Sequence, residues 1–313
     1  MSDINDAIDE LASSFSRVHQ FPRLEAINLQ FSHVHKKNFG SEDCLSLQAS
    51  LLGALANSFH VHVPSKLMSL SLLNLRASDP HPLETLPLQT ILTTLRCLKL
   101  SAAFSNYYPD VPGSLDLWNN FWGSLSLRMI PVQMQVILTD LTLHSNLSVG
   151  TDSALSLKEL HFPCLSTLSL RNIIFTTTYP GAEDFILRHS TTLTLLELLT
   201  CKVLISHNLV SLLSSSESTN LPMDMEWRHR PFWDRIWDRF AAELTSLITL
   251  NVNEEDRYAH MIGGSYFASY VGESRNTADR AALQRFRMSV ATRLIYQQMI
   301  TRWKLLGFTG FGN

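Results

Sequence analysis

The sequence predicts an α/β leucine-rich-repeat solenoid, a curved parallel sheet with helices on its convex side. Three observations predict it. First, Leu165-Ser-Thr-Leu168-Ser-Leu170-Arg-Asn-Ile173 carries apolar residues at positions one, four, six and nine, the alternation of a short strand with one buried face. Second, positions one, four and six of this frame recur from Leu24, Leu67, Leu95, Leu138, Leu193 and Leu247, with Ile27 and Val252 as the only replacements of leucine. Third, three frame-to-frame intervals fall at 27–28 residues and the last, 54, is twice 27, while two of 43 imply insertions. A strand this short cannot stand alone, and the intervening segments are long enough to return the chain to a parallel neighbour.

Taken in order, residues 1–22 are expected to form a capping helix. Ile4, Ile8, Leu11, Phe15 and Val18 make its apolar stripe, Asp3, Asp6 and Asp9 favour its N-terminal end, and Pro22 closes it. The repeats then occupy 23–260. Leu47, Leu51, Leu55 and Phe59, spaced at four, predict a returning helix over 43–59. The region of Pro80, Pro82 and Pro87 reads as a loop or irregular turn, because proline disrupts helix interiors and central strands. Residues 105–113 also read as loop, and Leu115, Trp118, Phe121, Trp122 and Leu125 as an aromatic-faced helix. The serines near 214–216 mark a surface loop. Pro231 then suits a first helical position, opening a helix whose Phe232, Trp233, Ile236, Trp237 and Phe240 form a core face. Gly263 and Gly264 mark a turn. Residues 261–306 form a helical cap, with its helix over about 277–301, and 307–313 a frayed tail.

Composition narrows the function classes. A chain of 313 residues with 45% hydrophobic residues and a net charge of -3 belongs with globular proteins, and that balance gives no reason to expect a nucleic-acid partner. Charged residues are 17% and mean hydropathy is +0.03, so the surface must use neutral polar groups or keep an apolar patch for a partner. The acidic start and the lack of an eighteen-residue apolar run predict neither signal peptide nor membrane span. Cys44, Cys97, Cys164 and Cys201 are too scattered for a paired metal motif and read as reduced thiols of an intracellular protein, in cytoplasm or nucleus. Asn146-Leu-Ser148 matches a glycosylation pattern by coincidence on that reading.

The segments Phe162-Pro-Cys-Leu165-Ser-Thr-Leu168-Ser-Leu170, Asp184-Phe-Ile-Leu187-Arg-His189 and Trp233-Asp-Arg-Ile-Trp237-Asp-Arg-Phe240 resemble the repeat region of fungal, mushroom-type F-box-like leucine-rich-repeat proteins. The resemblance implies substrate recruitment for a cullin ubiquitin ligase, with a Skp1-like adaptor bound by an F-box. The first frame at Leu24 leaves too little chain for a complete F-box before it, so this adaptor is expected only if an F-box lies upstream or in divergent form.

In a parallel sheet the third, fifth and seventh residues of each frame share the face opposite the inward leucines. That projection selects Lys99, Asp140, His144, Arg171, Leu195, Glu197 and Leu199 as a protein-binding surface, with Leu73 as a further apolar member. Their mixed charge suits a peptide or protein better than a polyanion. Catalytic signals are thin. His33-Val-His35 and His60-Val-His62 offer pairs of imidazoles without a third ligand; Asp152, Ser153 and His161 form no recognisable motif; and Glu254-Glu255-Asp256 reads as a solvated strand end. There is no Gly-x-Ser-x-Gly elbow, phosphate loop or dinucleotide fingerprint. The sequence therefore predicts a noncatalytic interaction module without metal or cofactor, or else a structural or assembly repeat protein.

Overall fold

The computed structural model describes residues 2–31, 41–61, 66–77, 82–104, 114–150, 155, 157–176, 181–205, 232–253, 258–262, 265–268 and 273–306. Among the described residues ten strands hydrogen-bond in the order β1 (Ala26–Gln30), β2 (Ser69–Leu75), β3 (Cys97–Ala102), β4 (Asp140–Val149), β5 (Thr167–Phe175), β7 (Lys202–Ile205), β9 (Tyr258–Ile262), β10 (Ser265–Ala268), with β6 (Leu195–Leu199) pairing β5 and β8 (Thr249–Val252). The chain divides into two compact units, and β5 (Thr167–Phe175) gives residues to both: Ser169–Ile173 to the first, Thr167, Leu168, Ile174 and Phe175 to the second.

The first unit holds β1 (Ala26–Gln30), β2 (Ser69–Leu75), β3 (Cys97–Ala102) and β4 (Asp140–Val149), each parallel to the next. Its helices are α1 (Ser2–Phe15), α2 (Ser41–Val61), α3 (Leu86–Leu92), α4 (Ser114–Ser124) and the single turn α5 (Val132–Gln135). The frame leucines drive this arrangement. Leu70, Leu72, Leu98, Leu100, Leu141 and Leu143 are all buried on one side of the strands. Each contributes about 1.5–3 kcal/mol by leaving water. At the end of β2, Asn74 adopts φ 62 and donates from Nδ2 to the Phe31 carbonyl at 2.9 Å. Its left-handed backbone accompanies the register shift between Leu72 and Leu75.

The second unit contains α6 (Ala182–Leu187), β6 (Leu195–Leu199), β7 (Lys202–Ile205), α7 (Trp233–Glu243), β8 (Thr249–Val252), β9 (Tyr258–Ile262), β10 (Ser265–Ala268) and α8 (Glu273–Leu305). β6 pairs with β8 in parallel, β7 with β9 in parallel, and β9 with β10 antiparallel. Trp237 lies between Trp233 and Phe286: its ring stacks on Trp233 at 4.5 Å and lies 6.0 Å from Phe286 of α8. Phe232, Trp233, Ile236, Trp237 and Phe240 are buried, so the aromatic face serves the core.

This architecture corrects the expected solenoid. The strands belong to one large, mostly parallel sheet that branches at β5 and ends in an antiparallel pair, with long helices interspersed. Equal repeats would give equal crossings, yet the crossings range from the 21-residue α2 to the 6-residue α6. The leucine frame specifies only which side of a strand is buried; it carries no instruction about what spans the gap. With the solenoid falls the resemblance to F-box-like leucine-rich-repeat proteins, and the ubiquitin-ligase adaptor role drawn from it. A second correction is local. Pro87 lies inside α3, where the first turn tolerates it because its missing N–H would have no intrahelical partner. His60 lies in α2, while His62 is outside the described residues. The loops read at 105–113 and 214–216, Pro231, the Gly263–Gly264 turn and the tail from 307 lie outside the described residues.

Candidate functional site

Parallel register places partnered side chains on one face of the first unit's strands. Asn28, Ser71, Lys99 and Thr142 are partnered in turn across β1 to β4, and Ala26, Ser69, Cys97 and Asp140 form a second row. Ser101 is partnered with His144. Lys99 is exposed between two short hydroxylated side chains and has no ion pair among the described residues. Arg171, on β5, is also exposed without an ion pair among them.

Asp140 is held more tightly. Its Oδ2 accepts from the Thr139 hydroxyl at 2.6 Å and from the Cys97 thiol at 3.4 Å. Burial, then the negative charge of Asp140, pushes the Cys97 thiol above its ordinary pKa, so it stays protonated at neutral pH. His144 is half-buried, and its Nε2 lies 2.8 Å from Ser169 Oγ. That distance suits a base and a nucleophile, but Ser169 is only 5% exposed. The pair fixes the imidazole ring; it does not present the hydroxyl to solvent. Asn172, at φ 58, donates from Nδ2 to the Ser145 carbonyl at 2.7 Å and anchors the same strand.

The second unit holds the other three predicted residues on β6. Leu195 is partnered with Thr249 and Glu197 with Asn251, whose Nδ2 donates to Glu197 Oε1 at 2.6 Å. Leu195, Glu197 and Leu199 are half-buried, as is Leu73 in the first unit. The first unit thus gathers Lys99, Asp140, His144 and Arg171, and the second gathers Leu195, Glu197 and Leu199.

Of the weaker sequence candidates, His161 is exposed and its backbone N–H donates to Gln135 Oε1 at 3.1 Å. His33, His35, His62, Asp152, Ser153 and Glu254–Asp256 lie outside the described residues. Among the described residues, no group of three His, Cys, Asp or Glu side chains could hold a metal ion. No described helix is long and apolar enough to cross a membrane. Sequence reasoning missed the His144–Ser169 contact, and also Arg239 bridging Glu183 at 3.0 Å and Glu243 at 2.8 Å. Only the i,i+4 spacing of Arg239 and Glu243 left any trace in the sequence.

These features define an α/β protein with a large, mostly parallel sheet on which Lys99 and Arg171 are exposed cations without an ion pair among the described residues. Comparison with protein-family models, curated proteins and solved structures found no match.

Proposed function

We propose that the protein is a noncatalytic interaction module that holds a protein partner against the exposed sheet face of its first unit. The supporting observation is the row Asn28–Ser71–Lys99–Thr142, in which four parallel strands set a lone cation among short polar neighbours. A rigid sheet fixes the spacing of such a row, which keeps the entropy lost on binding small. Lys99 and Arg171 supply charge for a partner carboxylate, while Ser71 and Thr142 leave room for a second backbone to approach. The mixed charge on this face, with Asp140 and His144 beside the cations, favours a folded protein or peptide over a polyanion.

Photo-crosslinking tests this reading. A photoreactive amino acid replacing Ser71 or Thr142 should crosslink one protein from the native cell, whereas the same group at Gln133 on α5 should not. Equal labelling from both places, or none from the sheet positions, counts against it.

A further inference from the structure

The geometry points to a second interaction surface: the outer stripe of α8 lies flat on an anionic lipid surface. The inner face of this helix is accounted for, since Ala282, Leu283, Phe286 and Val290 are buried. At 100° per residue, Met288, Ile295, Tyr296, Met299 and Trp303 fall in an arc of about 100° on the opposite side. They are exposed, at 62%, 58%, 62%, 44% and 38%. Leu305 and Leu306 are exposed at the helix end. Of fifteen large hydrophobic side chains exposed among the described residues, eight lie between Met288 and Leu306, so the apolar surface is concentrated here.

Charge selects the occupant. From Arg280 to Leu306 the chain carries six basic residues and no Asp or Glu. Arg285 is committed to Asp238, Arg287 to the Val252 carbonyl, and Arg293 to the Leu244 and Ala241 carbonyls. Arg302 is exposed and has no ion pair among the described residues. Two copies of this stripe packed together would bring like charges near one another with no acid to offset them. A single convex helix face also gives a peptide no walls. A bilayer interface suits it: apolar side chains enter the headgroup boundary, Tyr296 and Trp303 place amphipathic rings at that depth, and the basic groups meet anionic headgroups. No described helix is long and apolar enough to cross a membrane, and none need do so, because such a helix lies in the interface.

Flotation of the full chain with vesicles tests the proposal. The chain should bind phosphatidylcholine–phosphatidylserine vesicles more than phosphatidylcholine alone, and added salt should weaken binding. Combined Ile295→Glu and Met299→Glu should reduce binding about tenfold or more. Arg302→Glu should reduce it on the anionic vesicles alone, and Leu86→Glu on α3 should leave it unchanged. These positions are exposed, and circular dichroism checks that each variant stays folded. Absence of vesicle binding, equal binding by the doubly substituted chain, or a dimer seen by light scattering that depends on Ile295 and Met299 would overturn it.

Discussion

Asp279 and Arg293, on one helix, grip opposite ends of another. Asp279 Oδ1 accepts the Asp234 N–H at 2.9 Å, in the first turn of α7, where Phe232 at the N-cap provides no side-chain acceptor. Arg293 donates from Nη1 to the Leu244 carbonyl and from Nη2 to the Ala241 carbonyl, both at 2.6 Å, at the other end. A carboxylate therefore meets the positive end of the α7 dipole and a guanidinium the negative end. The two helices run side by side in the same direction, tied by these contacts and by the aromatic seam between them.

Asp279→Ala and Arg293→Ala should each lower unfolding free energy by about 1–3 kcal/mol. The two contacts share no partner, so the doubly substituted chain should lose nearly the sum. Urea unfolding followed by circular dichroism measures all three. A double loss no greater than either single loss would show that the caps do not act separately.

Glu183 gives a pH dependence of definite sign. Burial raises its pKa above the ordinary 4.5, against the opposing pull of Arg239. The folded chain therefore holds this proton more tightly than the unfolded one, and the contribution of Glu183 to stability declines as pH rises above 4.5. Glu183→Gln mimics the protonated form. The stability of the native chain relative to this variant should shrink as pH rises through that window, and a difference that grows instead would reverse the assignment.

Cys97 should alkylate slowly at neutral pH, well behind the exposed Cys164. Asp140 is both the acceptor of its hydrogen bond and a source of its raised pKa. Asp140→Asn should therefore speed iodoacetamide labelling at Cys97 while leaving Cys164 unchanged, read site by site by mass spectrometry. An unchanged Cys97 rate would mean that burial alone limits the thiol.

Asn146 clamps a backbone segment: Oδ1 accepts the Phe104 N–H at 2.7 Å, and Nδ2 donates to the Phe104 carbonyl at 2.9 Å. Asn146→Ala should cost about 1 kcal/mol in urea unfolding, the modest figure reflecting an exposed site where water replaces the lost partners. A loss several times larger would show that these bonds organise more of the fold than their exposure suggests.

The sequence disclosed strand faces far better than it disclosed architecture. Leu98 and Leu100 alternate with Lys99 because side chains on a strand alternate, and that period is visible in one dimension. The helices were legible for a similar reason: Leu51, Leu55 and Phe59 repeat at helical spacing and are buried in α2. The branch at β5 left no such trace, because its pairing with β7 sets Ile174 beside Lys202 and Phe175 beside Val203, residues far apart in the chain. The same holds for the candidate surface. Lys99 could be assigned to the exposed face from its neighbours, but the burial of Ser169 and its contact with His144 join residues 25 positions apart. The roles of Asp279 and Arg293 have no pattern in one dimension either, because they depend on α7 packed against their helix.

The most direct test of the proposed function is the affinity of the crosslinked partner for the chain carrying Lys99→Glu, compared with Gln133→Glu on α5. Reversing the charge at Lys99 should weaken binding by about tenfold or more, a change of about 1.4 kcal/mol, while the Gln133 substitution leaves it unchanged. Equal affinity for the two variants would contradict a role for the sheet face in recognition.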